Sequence, residues 1–244
     1  MGNLPAYISI LFGCTTALTL WFFYRAANQS KTIILVIILW LGIQSILGIS
    51  QFYFNTHSLP PRFIFLVLPP LFLIITLFLT QKGRYFLKGL NLKWLTLLHV
   101  VRIPVELVLF SLALHQVVPD LMTFEGRNLD ILSGITAPIV YYFGFVKHHL
   151  SPKLLLIWNF ACLGLLLNIV VNAILSVPTP FQQFAFDQPN IALLYFPFVW
   201  LPCFIVPVVL MSHLASIRQL ITQSRNTNVI CSNFNQKFTI EKSF

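Results

Sequence analysis

Residues 32–52 read TIILVIILWLGIQSILGISQF, twenty-one positions with no charged side chain. As an α-helix rising 1.5 Å per residue the stretch is about 30 Å long, the thickness of a bilayer's hydrocarbon core. Its apolar residues run continuously and do not alternate. That favours a helix over a barrel strand, whose lipid-facing and lumen-facing residues alternate. Six further runs of the same kind flank it, at residues 5–24, 61–80, 94–118, 130–146, 154–177 and 191–217. The chain therefore reads as an all-α polytopic membrane bundle of about seven transmembrane helices.

Composition agrees. The chain has 244 residues, of which 57% are hydrophobic and 9% charged, with 24 phenylalanines. A soluble domain carries about 25% charged residues. The net charge of +9 would suggest nucleic acid in a soluble protein. Here the basic residues occupy short connectors beside apolar runs, and no basic domain stands apart from them. Topology explains the charge, and no nucleic-acid partner is expected.

With the N-terminus outside, the inner connectors and tail hold Arg25, Lys31, Lys82, Arg84, Lys88, Lys93, Lys147, Lys153, Arg218, Arg225, Lys237 and Lys242. The outer connectors hold Arg62 and Arg127, together with Asp120, Glu125, Asp130 and Asp187. The bias repeats in every loop, so the expected orientation is N-out and C-in, which requires an odd number of spans. Residues 1–218 form the expected membrane domain. Residues 219–244 form a polar cytoplasmic tail, expected to be loosely ordered. The basic segment 81–93 is expected along the inner surface as a short interfacial helix. The run at 5–24 lacks a basic leader and a cleavage motif and reads as the first membrane helix. Size and the lack of sorting signals give a bacterial inner (plasma) membrane as the expected location.

Prolines punctuate the runs: Pro69 and Pro70 in the third, Pro104 in the fourth, Pro138 in the fifth, and Pro197, Pro202 and Pro207 in the seventh. Each removes a backbone donor, and three in one run predict a bent seventh span.

The fourth run holds the residues with most chemical potential: His99, Arg102, Glu106 and His115. Arg102 lies about 12 Å along the helix from Trp94 and Glu106 about 18 Å, near the bilayer middle. A charge at that depth costs at least ~2.5–3.5 kcal/mol and normally faces the bundle interior. The i, i+4 spacing lets Arg102 and Glu106 pair on one face, with Pro104 between them. Such a pair is either a packing lock or a ligand site. In the second reading Arg102 holds an anionic group and Glu106 accepts a hydrogen bond or a proton.

Other polar residues fall mostly in the outer half of the runs. Gln44 lies on the second, Ser133 and Thr136 follow Asp130 on the fifth, and Asn168 and Asn172 lie four apart on the sixth. With Arg102, Glu106 and Arg127 they could line a polar pocket open to the outside. Interhelical hydrogen bonding is the alternative use of each. In the outer segment 124–130, Asn128 or Asp130 is suited to cap the fifth helix, or Arg127 or Asp130 to close over the pocket.

Three classes of function remain. The first is a binder of a small amphiphilic or lipid-like molecule. The second is an intramembrane enzyme on a lipid or isoprenoid-like substrate, with Glu106 as acid/base assisted by Asp130 or His115. The third is a small-solute or proton-coupled transporter titrating at Glu106. A structural or assembly role also fits. Haem held by His99 and His213, with His57 and His115 at a second depth, is a further alternative. No metal site is expected: Cys14, Cys162, Cys203 and Cys231 form no CxxC, and His148–His149 reads as an interfacial basic pair. No lysine is placed within the membrane for a Schiff base, and no P-loop, HExxH, GxSxG or dinucleotide fingerprint is present.

Overall fold

The computed structural model describes residues 4–56 and 60–241, with side chains described through Ser224. Every regular element among them is helical. Helix α1 is Ala6–Ala26, α2 Lys31–Ile49, α3 Ile64–Leu79, α4 Gln81–Gly89 and α5 Leu92–Leu98. A 3₁₀ turn, His99–Val101, joins α5 to α6, Arg102–Leu114. Helix α7, Ile131–Tyr141, continues as a π-helical turn through Val146. Helix α8 is Pro152–Leu175, and α9 is Val206–Glu241, preceded by a π-helical turn at Leu201–Ile205.

Five segments are long and apolar enough to cross a membrane: Ala6–Ala26, Lys31–Ile49, Leu92–Leu114, Pro152–Leu175 and Leu201–Ser224. The other two expected spans are shorter. Ile131–Val146 is apolar but, as sixteen residues of helix, reaches only about 24 Å. Helix α3 meets α4 at a 94° bend. Thr80 makes that corner: its backbone is extended and its hydroxyl accepts the Gly83 N–H at 3.1 Å. Gly83 packs so tightly that a Cβ there would lie 2.4 Å from the Leu77 carbonyl oxygen. Helix α4 is thus the short basic helix expected after the third run.

The seventh run begins its helix late. Pro197 lies in the irregular segment before it, Pro202 opens the π-turn, and Pro207 stands in the first turn of α9. Pro207 has no N–H to offer the Cys203 carbonyl one turn back. That carbonyl accepts the Trp40 indole N–H instead, at 3.0 Å. The backbone of α9 continues past 219, where the polar tail was expected to start; residues 242–244, which include Lys242, and residues 57–59, which include His57, lie outside the described ones.

Helix α8 packs along α9, α1 against α5 and α6, and α7 against α5 and the 3₁₀ turn. Helices α2 and α3 leave apolar flanks uncovered, among them Leu39, Ile46, Leu68 and Phe72, each more than half exposed. Such faces suit lipid and not water. On the inner side of the expected orientation the α4–α5 junction is pinned from two directions. Asn28 donates to the Gly89 carbonyl (2.8 Å), and Gln219 donates to those of Leu87 and Leu90 (2.8 and 2.9 Å).

Candidate functional site

The site starts from a close approach of α6 and α7. A Cβ on Gly134 would lie 2.8 Å from Ile103 Cγ1 and 3.0 Å from the Ile103 backbone nitrogen. That contact brings Asp130, one helical turn before Gly134, to the guanidinium of Arg102. Arg102 Nη1 donates to Asp130 Oδ1 at 2.7 Å and to the Cys162 carbonyl at 3.3 Å. The expected pairing of Arg102 with Glu106 does not form. Position i+4 on the same helix offers adjacency, but Asp130 reaches Arg102 from across the interface, and Glu106 turns to another partner.

That partner is Asn128, in the outer segment before α7. Its amide donates to Glu106 Oε1 and, at 3.0 Å, to the Met122 carbonyl, while its Oδ1 accepts the Asp130 N–H at 3.0 Å. Asn128 therefore uses both donors and an acceptor to seat the outer segment on Glu106. It bonds one residue short of the expected helix cap, and Asp130 gives its carboxylate to Arg102 and caps nothing.

Arg102 also donates through Nη2 to His213 Nε2 at 2.9 Å. An accepting Nε2 carries no proton, so His213 is neutral with its proton on Nδ1, which donates to Asn159 Oδ1 at 3.0 Å. Asn159 in turn donates to the Leu155 carbonyl. The His99 ring stacks on His213, centroids 3.8 Å apart and planes 12° from parallel, with Trp158 edge-on at 5.6 Å. His99, Arg102, Glu106, Asn159 and His213 are all buried, none more than 2% exposed.

The haem alternative fails on this geometry. Two stacked imidazoles at 3.8 Å leave no room for an iron and its porphyrin between them, and both His213 nitrogens are already engaged. Among the described residues no group of three or more His, Cys, Asp or Glu is arranged to hold a metal ion.

The remaining candidates lie elsewhere. His115 ends α6, exposed, its Nδ1 bonded to the Ser111 carbonyl. It is nine residues beyond Glu106, about 14 Å along a helix, so it cannot assist there. Asn168 donates to the Arg127 carbonyl and is reached by Asn172 at 3.4 Å, which ties α8 to the outer segment; the Arg127 side chain is exposed. Gln44 is buried on α2 and accepts the Tyr53 hydroxyl. Thr15, Thr16, Thr19 and Ser45 bond to carbonyls one turn back on their own helices. None of these groups lines the cavity beside Glu106.

A cavity of about 80 Å³ does adjoin Glu106. It is lined by Val105 and Leu109 of α6, Leu166 and Ile169 of α8, Phe63 and Val67 at the start of α3, and the Leu201–Val206 turn. Its polar lining is Glu106 and Asp130; Arg102 is not on its wall. Arg102 Nη1 donates to Asp130 and the Cys162 carbonyl and Nη2 to His213, while the buried Nε has no partner among the described residues; the anion that Arg102 holds is Asp130. Glu106 Oε2 is buried and has no partner among the described residues.

Sequence reasoning missed Asn128 as a Glu106 partner, and missed Asn159 and Gly134 altogether. Asn159, a third asparagine in the sixth run beside Asn168 and Asn172, was a readable signal. Gly134 had none, because a close approach between helices leaves no trace in one chain's periodicity.

Residues 60–221 match the family described as Domain of unknown function (DUF8737). The chain belongs to this family. No curated protein and no solved structure matches the chain. The DUF8737 region includes the whole buried cluster and every residue of the cavity wall, while α1, α2 and the Gln44–Tyr53 contact precede it.

Proposed function

We propose that this DUF8737 protein is a seven-span, N-out membrane bundle that binds one small amphiphilic or lipid-like molecule, its polar end at Glu106 and its apolar part in the adjoining cavity. The carrying observation is the buried Glu106 Oε2, without a partner among the described residues, on the wall of a cavity whose other polar lining residue, Asp130, is already paired with Arg102. Buried polar atoms are nearly always bonded, and an exception beside open space calls for a partner from outside the chain. About 80 Å³ is several times the room one water needs and takes the polar end and the first few carbons of such a molecule.

The enzyme reading has less behind it. Of the two groups expected to assist Glu106, Asp130 is paired with Arg102 and His115 is remote.

Native mass spectrometry of protein purified in mild detergent tests the binding. A bound species on the wild type, absent from Glu106→Gln at equal thermal stability, is the expected result. Identical apo masses for both, after addition of the source membrane's lipid extract, would remove the ligand reading.

Topology is tested separately. Single cysteines at Glu125 and at Lys88, in a background with the native cysteines replaced, are expected to react with a membrane-impermeant maleimide from opposite sides of sealed vesicles. Labelling of both from one side would show that residues 94–118 do not cross and would refute the seven-span topology.

A further inference from the structure

The charges around the cavity do not balance. Arg102 supplies one positive charge and Asp130 one negative, and they cancel at 2.7 Å. Glu106 is a second carboxyl in the same buried cluster, and its described partner, the Asn128 amide, is neutral. His213 is neutral because its Nε2 accepts from Arg102. His99 stacks on it with both nitrogens unbonded and brings no charge to the cavity wall. The faces contributed by α3, α8 and the Leu201–Val206 turn are apolar. An ionised Glu106 would therefore be an uncompensated buried anion, which a low-dielectric site does not tolerate, so without a cation beside it Glu106 is the neutral acid.

We infer that the cavity takes a single-chain amphiphile with a cationic ammonium head, and that this head replaces the Glu106 proton. This rests on the cavity being a ligand site. The exchange balances: the neutral carboxyl releases its proton to solvent, the ammonium keeps its own, and the carboxylate Oε2 accepts an N–H from the head. A carboxylate or phosphate head would add a second anion to the cluster and is excluded by the same count. A neutral alcohol satisfies Oε2 without proton release and discriminates less.

The test uses the full chain in a nonionic detergent with dodecylamine, dodecanol and dodecanoate as probes and protein-free micelles as baseline. Binding is read by native mass spectrometry, and proton release by a pH indicator in weak buffer. Dodecylamine is expected to bind with release of about one proton. Its affinity is expected to rise up to tenfold per pH unit over the range where empty Glu106 is protonated, since proton and ligand compete for one carboxyl. Glu106→Gln is expected to lose dodecylamine and keep dodecanol, the latter showing that the variant is folded. Tightest binding of dodecanoate, or equal binding of amine and alcohol with no proton released, would overturn the cation assignment and leave the cavity a ligand site. Failure of all three probes on the wild type would remove the cavity reading itself.

Discussion

Asp130→Leu is expected to lower stability by about 3–5 kcal/mol, because it strands the Arg102 guanidinium as an unpaired charge in a site 2% exposed. Arg102→Met is expected to do similar harm in the opposite sense, leaving Asp130 without its counter-charge and His213 Nε2 without its donor. The double variant Arg102→Met with Asp130→Leu removes both charges and is expected to regain most of the loss, since well-packed apolar residues often replace a buried ion pair at no cost. Thermal unfolding in detergent across the four proteins gives the coupling directly. Additive losses, or a single-variant loss below about 1 kcal/mol, would mean that water reaches Arg102 and that the cluster is not sealed. The same set distinguishes the two carboxyls: Asp130 is the packing lock, and Glu106→Gln is expected to leave stability nearly unchanged because glutamine still accepts from Asn128.

Gly126→Ala is expected to be the most damaging small change outside the spans. A Cβ there would lie 2.3 Å from the Asp120 carbonyl oxygen and 2.6 Å from the Leu121 Cα. Both are backbone atoms, so no side-chain rotation relieves the clash, and the outer segment must open. That segment carries Asn128, whose three hydrogen bonds hold Glu106 and the start of α7. The expected cost is about 1–3 kcal/mol from overpacking alone, together with at least a tenfold weaker retention of any molecule bound at Glu106. Melting temperature and native mass spectrometry measure the two effects separately. An alanine variant with wild-type values of both would show that the outer segment has another conformation of equal energy and does not brace the site.

The helices were legible because lipid-facing sequence is written in composition. A run such as 32–52 has no charge to bury and no alternation to pair as a strand, so it forms a helix wherever it is placed. The breaks were legible in part. Prolines marked the seventh run as irregular, but the late helix start at Leu201 and the carbonyl of Cys203 rescued by Trp40 depend on a neighbour more than 160 residues away in the chain. Arg102 and Glu106 stood out as costly charges at mid-span. Their partners did not, because spacing along one helix reports only which residues share a face.

Sequence alone was enough for helices long and apolar enough to cross a membrane, for the basic bias of alternate connectors, and for Arg102 and Glu106 as ionisable groups that need partners inside. Those follow from the cost of exposing backbone and charge to hydrocarbon, which each segment meets by itself. Which carboxyl neutralises Arg102, which one is left facing a cavity, and which histidine is locked in its neutral form were decided by packing: the α6–α7 approach at Gly134, the outer segment folded back through Asn128, and α8 and α9 closing over the far side. A buried charge is satisfied by whatever group lies within about 3 Å of it, and that distance is set by contacts among helices that no single segment encodes.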